Sequence, residues 1–226
     1  MCVALTFSNG RETWVFKERF PGEQMSVSLP NYLTFFRLFI TPIFMILYLK
    51  GKWFGLSATV LPYVLLFLLI IAEITDAVDG YIARKFSQVT ALGKLLDPMA
   101  DSVYRISLYL TFTQPPVNLP LILVFIFLAR DSVTSTLRML CASRGQVLAA
   151  RTSGKLKAIL QAISFFLIIF AMFFCAKGII STDDLEFFAT ITVSLVAFYS
   201  VCSGVEYIWV NKSHLLQKND SPDGES

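Results

Sequence analysis

TDAVDGYIARKFSQVTALGKLLDPMAD, residues 75–101, joins two long apolar segments through a short polar turn. Four aspartates lie in this stretch, and the apolar segments on either side of it are long enough to cross a bilayer. An ionisable group inside a bilayer costs about 2.5–3.5 kcal/mol on insertion scales, so such groups are rare unless they share a polar cavity. The stretch therefore indicates a functional polar site inside a membrane protein.

The rest of the chain has the composition of a membrane protein. It has 226 residues, of which 55% are hydrophobic and 15% are charged, whereas soluble domains carry about 25% charged residues. A spanning helix needs about 20 mostly apolar residues, and six segments meet this requirement. The predicted spans are residues 32–49, 57–83, 92–112, 119–140, 156–176 and 185–210. We therefore predict an all-α, polytopic membrane protein with a bundle of six transmembrane helices.

The two ends of the chain are more polar than its middle. Residues 1–27 lack the apolar core of a secretory signal and are predicted to form a polar or interfacial N-terminal extension. Residues 28–211 form the predicted membrane domain, and residues 212–226 form a polar C-terminal tail. The four cysteines are widely scattered, which favours free thiols in a reducing compartment over a metal site or a disulfide framework.

The basic residues predict the orientation in the membrane. Thirteen lysines and arginines fall on the side that carries both termini, against three, Lys50, Lys52 and Lys177, on the other side. Because basic loops stay in the cytoplasm, both termini and the acidic site are predicted to face the cytoplasm, in a multi-pass protein of the cell inner (cytoplasmic) membrane. The net charge of +3 is too small to suggest a nucleic-acid partner.

The spacing of the four aspartates predicts that they converge. Asp76 and Asp79 are three residues apart and Asp97 and Asp101 are four apart, so each pair projects from one face of a helix. Uncompensated carboxylates in a low dielectric repel one another, and a hard divalent cation such as Mg²⁺, Mn²⁺ or Ca²⁺ relieves this repulsion. Four carboxylates can hold two such cations, the arrangement that clamps a phosphoryl group in two-metal enzymes.

Two other interpretations of the acids stay open at this point. The first is a structural ion-pair network in which Asp97, Asp101 and Arg105 pair along one helical face. The second is a transporter or proton pathway built on intramembrane acids. Transporters commonly show inverted repeats and interrupted helices, and the six predicted spans, with the four aspartates in one hairpin, do not suggest them.

The stretch resembles the signature of the CDP-alcohol phosphatidyltransferase family. All eight defining positions are present at the family's spacing: Asp76, Asp79, Gly80, Ala83, Arg84, Gly93, Asp97 and Asp101. The segment SLPNYLTFFR, residues 28–37, resembles the start of the family's first helix, and the resemblance extends over residues 28–211. It implies a six-helix membrane bundle, typically a homodimer, which transfers a phosphatidyl group from CDP-diacylglycerol to an alcohol and releases CMP.

The resemblance also implies roles for individual residues. Two Mg²⁺ or Mn²⁺ ions would be bound by Asp76, Asp79, Asp97 and Asp101. Asp101 would also act as the general base that deprotonates the acceptor hydroxyl. The CDP-lipid would be bound by Asn31, Thr34, Gly80, Ala83, Arg84 and Gly93.

The acceptor alcohol is indicated by two further stretches. ARDSVTSTLR, residues 129–138, and SGKLKAILQ, residues 153–161, resemble the phosphatidylglycerophosphate synthase branch of the family, which uses sn-glycerol 3-phosphate. A basic acceptor pocket is predicted from Arg105, Arg130, Arg138, Lys155 and Lys157. That branch often has a lysine directly after the last aspartate, where this chain has Ser102. Inositol phosphate or another alcohol stays open as the acceptor, and Lys155 and Lys157 could instead anchor a helix end.

Overall fold

The computed structural model describes residues 4–8, 11–15, 29–85, 91–143 and 152–216. Two short strands come first, β1 (Ala4–Ser8) and β2 (Arg11–Val15). The helices that follow are α1 (Leu29–Lys50), α2 (Leu61–Lys85), α3 (Ala91–Phe112), α4 (Leu121–Ser143), α5 (Thr152–Ala176) and α6 (Thr182–Leu216). A 3₁₀ helix over Gly51–Phe54 lies between α1 and α2.

From Leu29 to Leu216 the described chain is helical apart from its connecting turns, which confirms the all-α prediction for this part. Each predicted span lies on one helix. The starts of two spans shift most: α5 begins at Thr152 and not at residue 156, and α2 begins at Leu61 and not at residue 57. Ahead of α2 the Ser57 hydroxyl and carbonyl oxygens accept hydrogen bonds from the Val60 backbone and hold a turn there. Helix α6 continues to Leu216, past residue 211, where we predicted the polar tail to begin.

The N-terminal extension departs from the all-α prediction. Strands β1 and β2 pair antiparallel, with Ala4 opposite Val15 and Ser8 opposite Arg11. Their β-branched and aromatic residues, such as Phe7 and Trp14, favour extended backbone. A two-residue connection between strands is typical of a β-hairpin. The N-terminal extension therefore contains a small antiparallel hairpin ahead of the helices.

Two of the described helices are long and apolar enough to cross a membrane by length and composition. They cover Ser153–Ala176 and Thr182–Val210. Large apolar side chains also point outward from the helices: Phe39 on α1 is 70% exposed and Phe198 on α6 is 72% exposed. Soluble monomers rarely expose extended apolar patches. These outward faces are suited to lipid.

The turns between helices are closed by specific residues. Gly55 and Gly178 both have φ of 73°, a left-handed conformation that favours glycine, and they end the 3₁₀ helix and α5 respectively. At the start of α6, the Ser181 hydroxyl accepts a bond from the Asp184 N–H at 3.1 Å, and the Asp184 carboxylate accepts one from the Ser181 N–H at 3.1 Å. This reciprocal pair is a capping box.

The centre of the bundle is aromatic. The ring of Tyr109 on α3 stacks on Phe127 of α4, with centroids 4.6 Å apart, and lies 4.5 Å from Phe165 of α5. All three side chains are fully buried. The Tyr109 hydroxyl is satisfied by a 2.7 Å hydrogen bond with the hydroxyl of Ser164. This cluster fixes α3, α4 and α5 relative to one another and supports the polar residues that lie nearer their ends.

Helix packing brings the polar segments together. Helix α1 packs along both α2 and α3, α5 packs against α2 and α6, and α4 packs against α3 and α6. A polar contact reinforces this arrangement, because the Arg105 guanidinium of α3 donates a 2.9 Å hydrogen bond to the Ala158 carbonyl of α5. The described polar residues of α3, α4 and α5 therefore lie in one region of the bundle.

Candidate active site

The carboxylates of Asp76 and Asp101 share one arginine. The guanidinium of Arg37, on α1, lies 2.5 Å from an Asp76 carboxylate oxygen and 3.6 Å from an Asp101 carboxylate oxygen. Arg37 is buried, whereas the two aspartate side chains are 43% and 34% exposed. Asp76 of α2 and Asp101 of α3 therefore lie close together, around a cation that we did not assign to the site from the sequence.

Asp101 has a second basic partner on its own helix. Arg105 lies one turn further along α3, and its Nε donates a 3.0 Å hydrogen bond to Asp101. The same guanidinium reaches the Ala158 carbonyl of α5. We predicted Arg105 in the acceptor pocket, but it is not among the described residues that line the cavity beside Asp101. In this structure it orients the carboxylate of Asp101.

A polar cavity opens beside Asp101. Its volume is about 270 Å³, and it is bordered by α3, α4, α5 and α6. Of the predicted acceptor residues, the structure places Arg130, Lys155 and Lys157 in its wall. Asp101 and Ser102 form the wall on the α3 side. The predicted general base and three predicted acceptor residues thus border one space.

Asp131 holds two of the cations in place. Its carboxylate lies 2.5 Å from the Lys157 ammonium and 3.1 Å from the Arg130 guanidinium. Arg130 is further anchored on α6, where it donates to the Ser200 carbonyl and to the Ser203 hydroxyl, both at 3.3 Å. Asp131 and Lys157 are buried. With Lys155, the described wall has three cations against the two acids Asp101 and Asp131, and its net positive charge suits an anionic ligand.

The structure describes the side chain of Lys155 but not those of the remaining predicted site residues. Lys155 is exposed at the cavity edge. The helices α1 to α4 contain the other predicted site residues, whose side chains lie outside the described set: Asn31, Thr34, Asp79, Gly80, Ala83, Arg84, Gly93, Asp97 and Arg138. Their roles therefore stay predictions.

The donor chemistry of the described acids fits a hard cation. Asp76 and Asp101 bring carboxylate oxygens, the ligands that Mg²⁺ and Mn²⁺ prefer, close enough to share one guanidinium. Their partial exposure leaves them accessible. Within the described residues no group of three or more potential metal ligands forms, since the side chains of Asp79 and Asp97 lie outside that set. Asp76 and Asp101 are two of the four predicted metal ligands, and their chemistry suits that role.

Arg37 is the residue that sequence reasoning missed. The signal was present, because Arg37 is a charged residue within an apolar predicted span, and such residues are costly unless paired. Its partners were not evident, since they lie on two other helices. The energetic cost of burying a charge, which indicated a polar site around the acids, applies equally to Arg37.

Comparison with known proteins agrees with the geometry. The sequence profile of the CDP-alcohol phosphatidyltransferase family matches residues 27–202. The chain is 33% identical to a CDP-diacylglycerol–glycerol-3-phosphate 3-phosphatidyltransferase of Bacillus subtilis, over 85% of this chain and 99% of the relative. Proteins of the same name from Rickettsia typhi and Haemophilus influenzae are 31% and 28% identical, over 83% and 85% of this chain and 98% and 97% of their own lengths.

These matches confirm the resemblance found in the sequence and, together with the two apolar helices, indicate a membrane protein. The family match covers most of the chain, from before α1 to residue 202 within α6. The chain belongs to the CDP-alcohol phosphatidyltransferase family.

Proposed function

We propose that this enzyme transfers the phosphatidyl group of CDP-diacylglycerol to sn-glycerol 3-phosphate, giving phosphatidylglycerophosphate and CMP. The observation that carries the proposal is the cavity in which Asp101 faces the cations Arg130 and Lys157. An acceptor with a phosphate and a hydroxyl matches this cavity, because the phosphate can bind the cations and the hydroxyl can be deprotonated by Asp101. The names of the relatives support the same acceptor.

The reaction assigns Asp101 the role of general base. Its carboxylate accepts the proton of the acceptor hydroxyl, whose oxygen then forms a bond to the phosphorus that carries the diacylglycerol. The bond from that phosphorus to the bridging oxygen breaks, and CMP leaves with the electron pair. Arg37 and Arg105 both contact the Asp101 carboxylate and so fix its orientation beside the cavity. General-base catalysis of this kind contributes about 10²–10⁴-fold.

Two Mg²⁺ or Mn²⁺ ions would neutralise charge at the diphosphate. They would be held by Asp76, Asp79, Asp97 and Asp101. Phosphoryl transfer depends mainly on such neutralisation and on alignment. The cations of the cavity wall bind the acceptor phosphate: Arg130 offers a planar fork suited to phosphate oxygens, and Lys157 offers a point charge.

Membership of the family supports a proposal for the donor site and for the cellular setting. The CDP-lipid is bound by Asn31, Thr34, Gly80, Ala83, Arg84 and Gly93. The enzyme is a six-span homodimer of the inner membrane, surrounded by membrane lipid, with both termini and the active site on the cytoplasmic side. The lipid donor requires a site within the membrane, and the water-soluble acceptor requires an opening to the cytoplasm.

A panel of acceptors tests the proposal. Purified protein in detergent micelles is given CDP-diacylglycerol, Mg²⁺ or Mn²⁺ and one radiolabelled acceptor: sn-glycerol 3-phosphate, inositol phosphate, inositol, serine or choline. We expect CMP release and a labelled lipid only when metal and sn-glycerol 3-phosphate are both present. Labelling by inositol phosphate in place of glycerol phosphate would overturn the acceptor assignment. Solute movement in proteoliposomes without CMP release would indicate a transporter.

A further inference from the structure

Helix α5 presents a polar stripe to the cavity. Ser153, Lys157 and Gln161 are spaced four residues apart, so their side chains lie on one face of the helix, and all three line the cavity beside Asp101. Lys157 has a partner in Asp131. The side chains of Ser153 and Gln161, on either side of it along the stripe, have polar atoms without a partner among the described residues.

Of Ser153 and Gln161, Gln161 says more about the ligand of the cavity. It is fully buried, with 0% exposure, and neither its amide oxygen nor its amide nitrogen has a hydrogen-bond partner within the described part of the chain. The hydroxyl of Ser153 is buried and without a partner in the same sense. Leaving a buried polar group unpaired costs about 1–3 kcal/mol. An unpaired amide in a cavity wall requires an explanation. A ligand that enters the cavity and bonds the amide would supply one.

The chemistry of an amide restricts what it recognises. Its nitrogen donates and its oxygen accepts, so it is complementary to a neutral hydroxyl, which does both. A phosphate is better matched by Arg130 and Lys157, and the reacting hydroxyl by Asp101. sn-Glycerol 3-phosphate carries a phosphate, a reacting primary hydroxyl and one secondary hydroxyl. After the first two are assigned, the secondary hydroxyl has no partner yet.

We propose that Gln161 binds the non-reacting hydroxyl of the acceptor and so selects polyol phosphates over phosphates that lack this hydroxyl. The proposal rests on the proposed function and deepens it. An acceptor without the hydroxyl leaves the buried amide unpaired in the complex. A site built to bond a substrate hydroxyl discriminates strongly against the analogue that lacks it.

The test compares two acceptors in one protein. The first is sn-glycerol 3-phosphate, and the second is 3-hydroxypropyl phosphate, which keeps the phosphate and the primary hydroxyl and lacks the secondary one. We expect the wild type to prefer the first by about tenfold or more in kcat/KM. In Gln161→Met, which has a similar volume and no amide, we expect that preference to fall by at least about tenfold, with the deoxy acceptor nearly unaffected.

The preference is a ratio within one preparation, so a partly unfolded variant does not distort it. Ile163→Ala, a change at an exposed position of α5 outside the cavity wall, should keep the wild-type ratio. If Gln161→Met has no measurable turnover, calorimetric binding of the two phosphates gives the same ratio. An unchanged ratio in Gln161→Met, or a wild type that does not discriminate, overturns this inference alone. Failure of the wild type to release CMP with sn-glycerol 3-phosphate overturns the proposed function instead.

Discussion

The guanidinium of Arg37 lies 2.5 Å from the carboxylate of Asp76, so a buried cation of the first helix pairs with an acid of the second. The same guanidinium is 3.6 Å from Asp101 of α3. Arg37 therefore provides positive charge to two of the four acids that we predict to bind metal. The acids can approach one another before any metal binds, because the protein already supplies part of the compensating charge.

Replacing Arg37 should make the protein depend on metal for its stability. In Arg37→Gln the two carboxylates lose their shared counter-charge and repel each other. Breaking a buried ion pair costs about 3–5 kcal/mol, and we expect about 2 kcal/mol here because the acids are partly exposed to solvent. Thermal unfolding in detergent should show a lower transition temperature in chelator and a larger rise on addition of Mg²⁺ than in the wild type.

Two variants control this measurement. Arg37→Lys keeps the charge and should fall between the wild type and Arg37→Gln. Lys52→Gln removes a cation from an exposed position and should leave both transitions unchanged. Equal transition temperatures for Arg37→Gln and the wild type, in chelator and in Mg²⁺, would show that Arg37 does not compensate the acids.

Lys157 and Lys155 should differ in their contribution to acceptor binding. Lys157 is buried and held by Asp131 at 2.5 Å, whereas Lys155 is exposed at the cavity edge. A hydrogen bond to a charged group is worth about 1.5–3 kcal/mol, so Lys157→Met should raise the KM for sn-glycerol 3-phosphate by about 10- to 100-fold. Lys155→Met should raise it by less than about threefold, because solvent screens exposed charges.

A double variant tests whether Lys157 contributes its own charge to acceptor binding or only neutralises Asp131. Lys157→Met leaves Asp131 with Arg130 as its remaining described partner. Adding Asp131→Asn removes the excess acid, so recovery of the wild-type KM in the double variant would mean that Lys157 acts only by neutralising Asp131. Equal, small effects of Lys155→Met and Lys157→Met would instead favour a role for both lysines in anchoring the helix end.

The helices were predictable and their side-chain partners were not. Long apolar runs specify membrane helices in a single sequence, and each predicted span lies on one helix between Leu29 and Leu216. The hairpin of Ala4–Ser8 and Arg11–Val15 was not predicted, because five-residue strands give little periodic signal. The cavity cations were expected from resemblance. The ion pairs of Asp131 with Arg130 and Lys157 were not, because they depend on how α4 packs near α5. The burial of Gln161 depends on that packing as well.

Asp101 should be required for chemistry and dispensable for binding the donor. Asp101→Asn keeps the size of the side chain and cannot accept the proton of the acceptor hydroxyl. Loss of a general base lowers turnover by about 100-fold or more, so CMP release should fall by that factor while CDP-diacylglycerol affinity changes only a few-fold. Asp183→Asn, at an exposed position of α6, is the matched control. Near-normal turnover of Asp101→Asn would remove Asp101 from the role of base.

Gly204 should be needed for the position of Arg130. A Cβ at Gly204 would lie 3.1 Å from Cγ and 3.5 Å from Nε of Arg130, and the Arg130 guanidinium is held on the same helix face by Ser200 and Ser203. Gly204→Ala requires Arg130 to move by a few tenths of an ångström, and Gly204→Val requires more. Overpacking of a tight contact costs about 1–3 kcal/mol.

We expect Gly204→Ala to raise the KM for sn-glycerol 3-phosphate about threefold and Gly204→Val about tenfold or more, with donor affinity unchanged. The graded response distinguishes displacement of Arg130 from general damage to α6, which would lower kcat and donor affinity together. Cys202→Ala, at an exposed position two residues away, should leave the KM unchanged. A wild-type KM in Gly204→Val would show that the position of Arg130 does not matter for the acceptor, and it would assign phosphate binding to Lys157 alone.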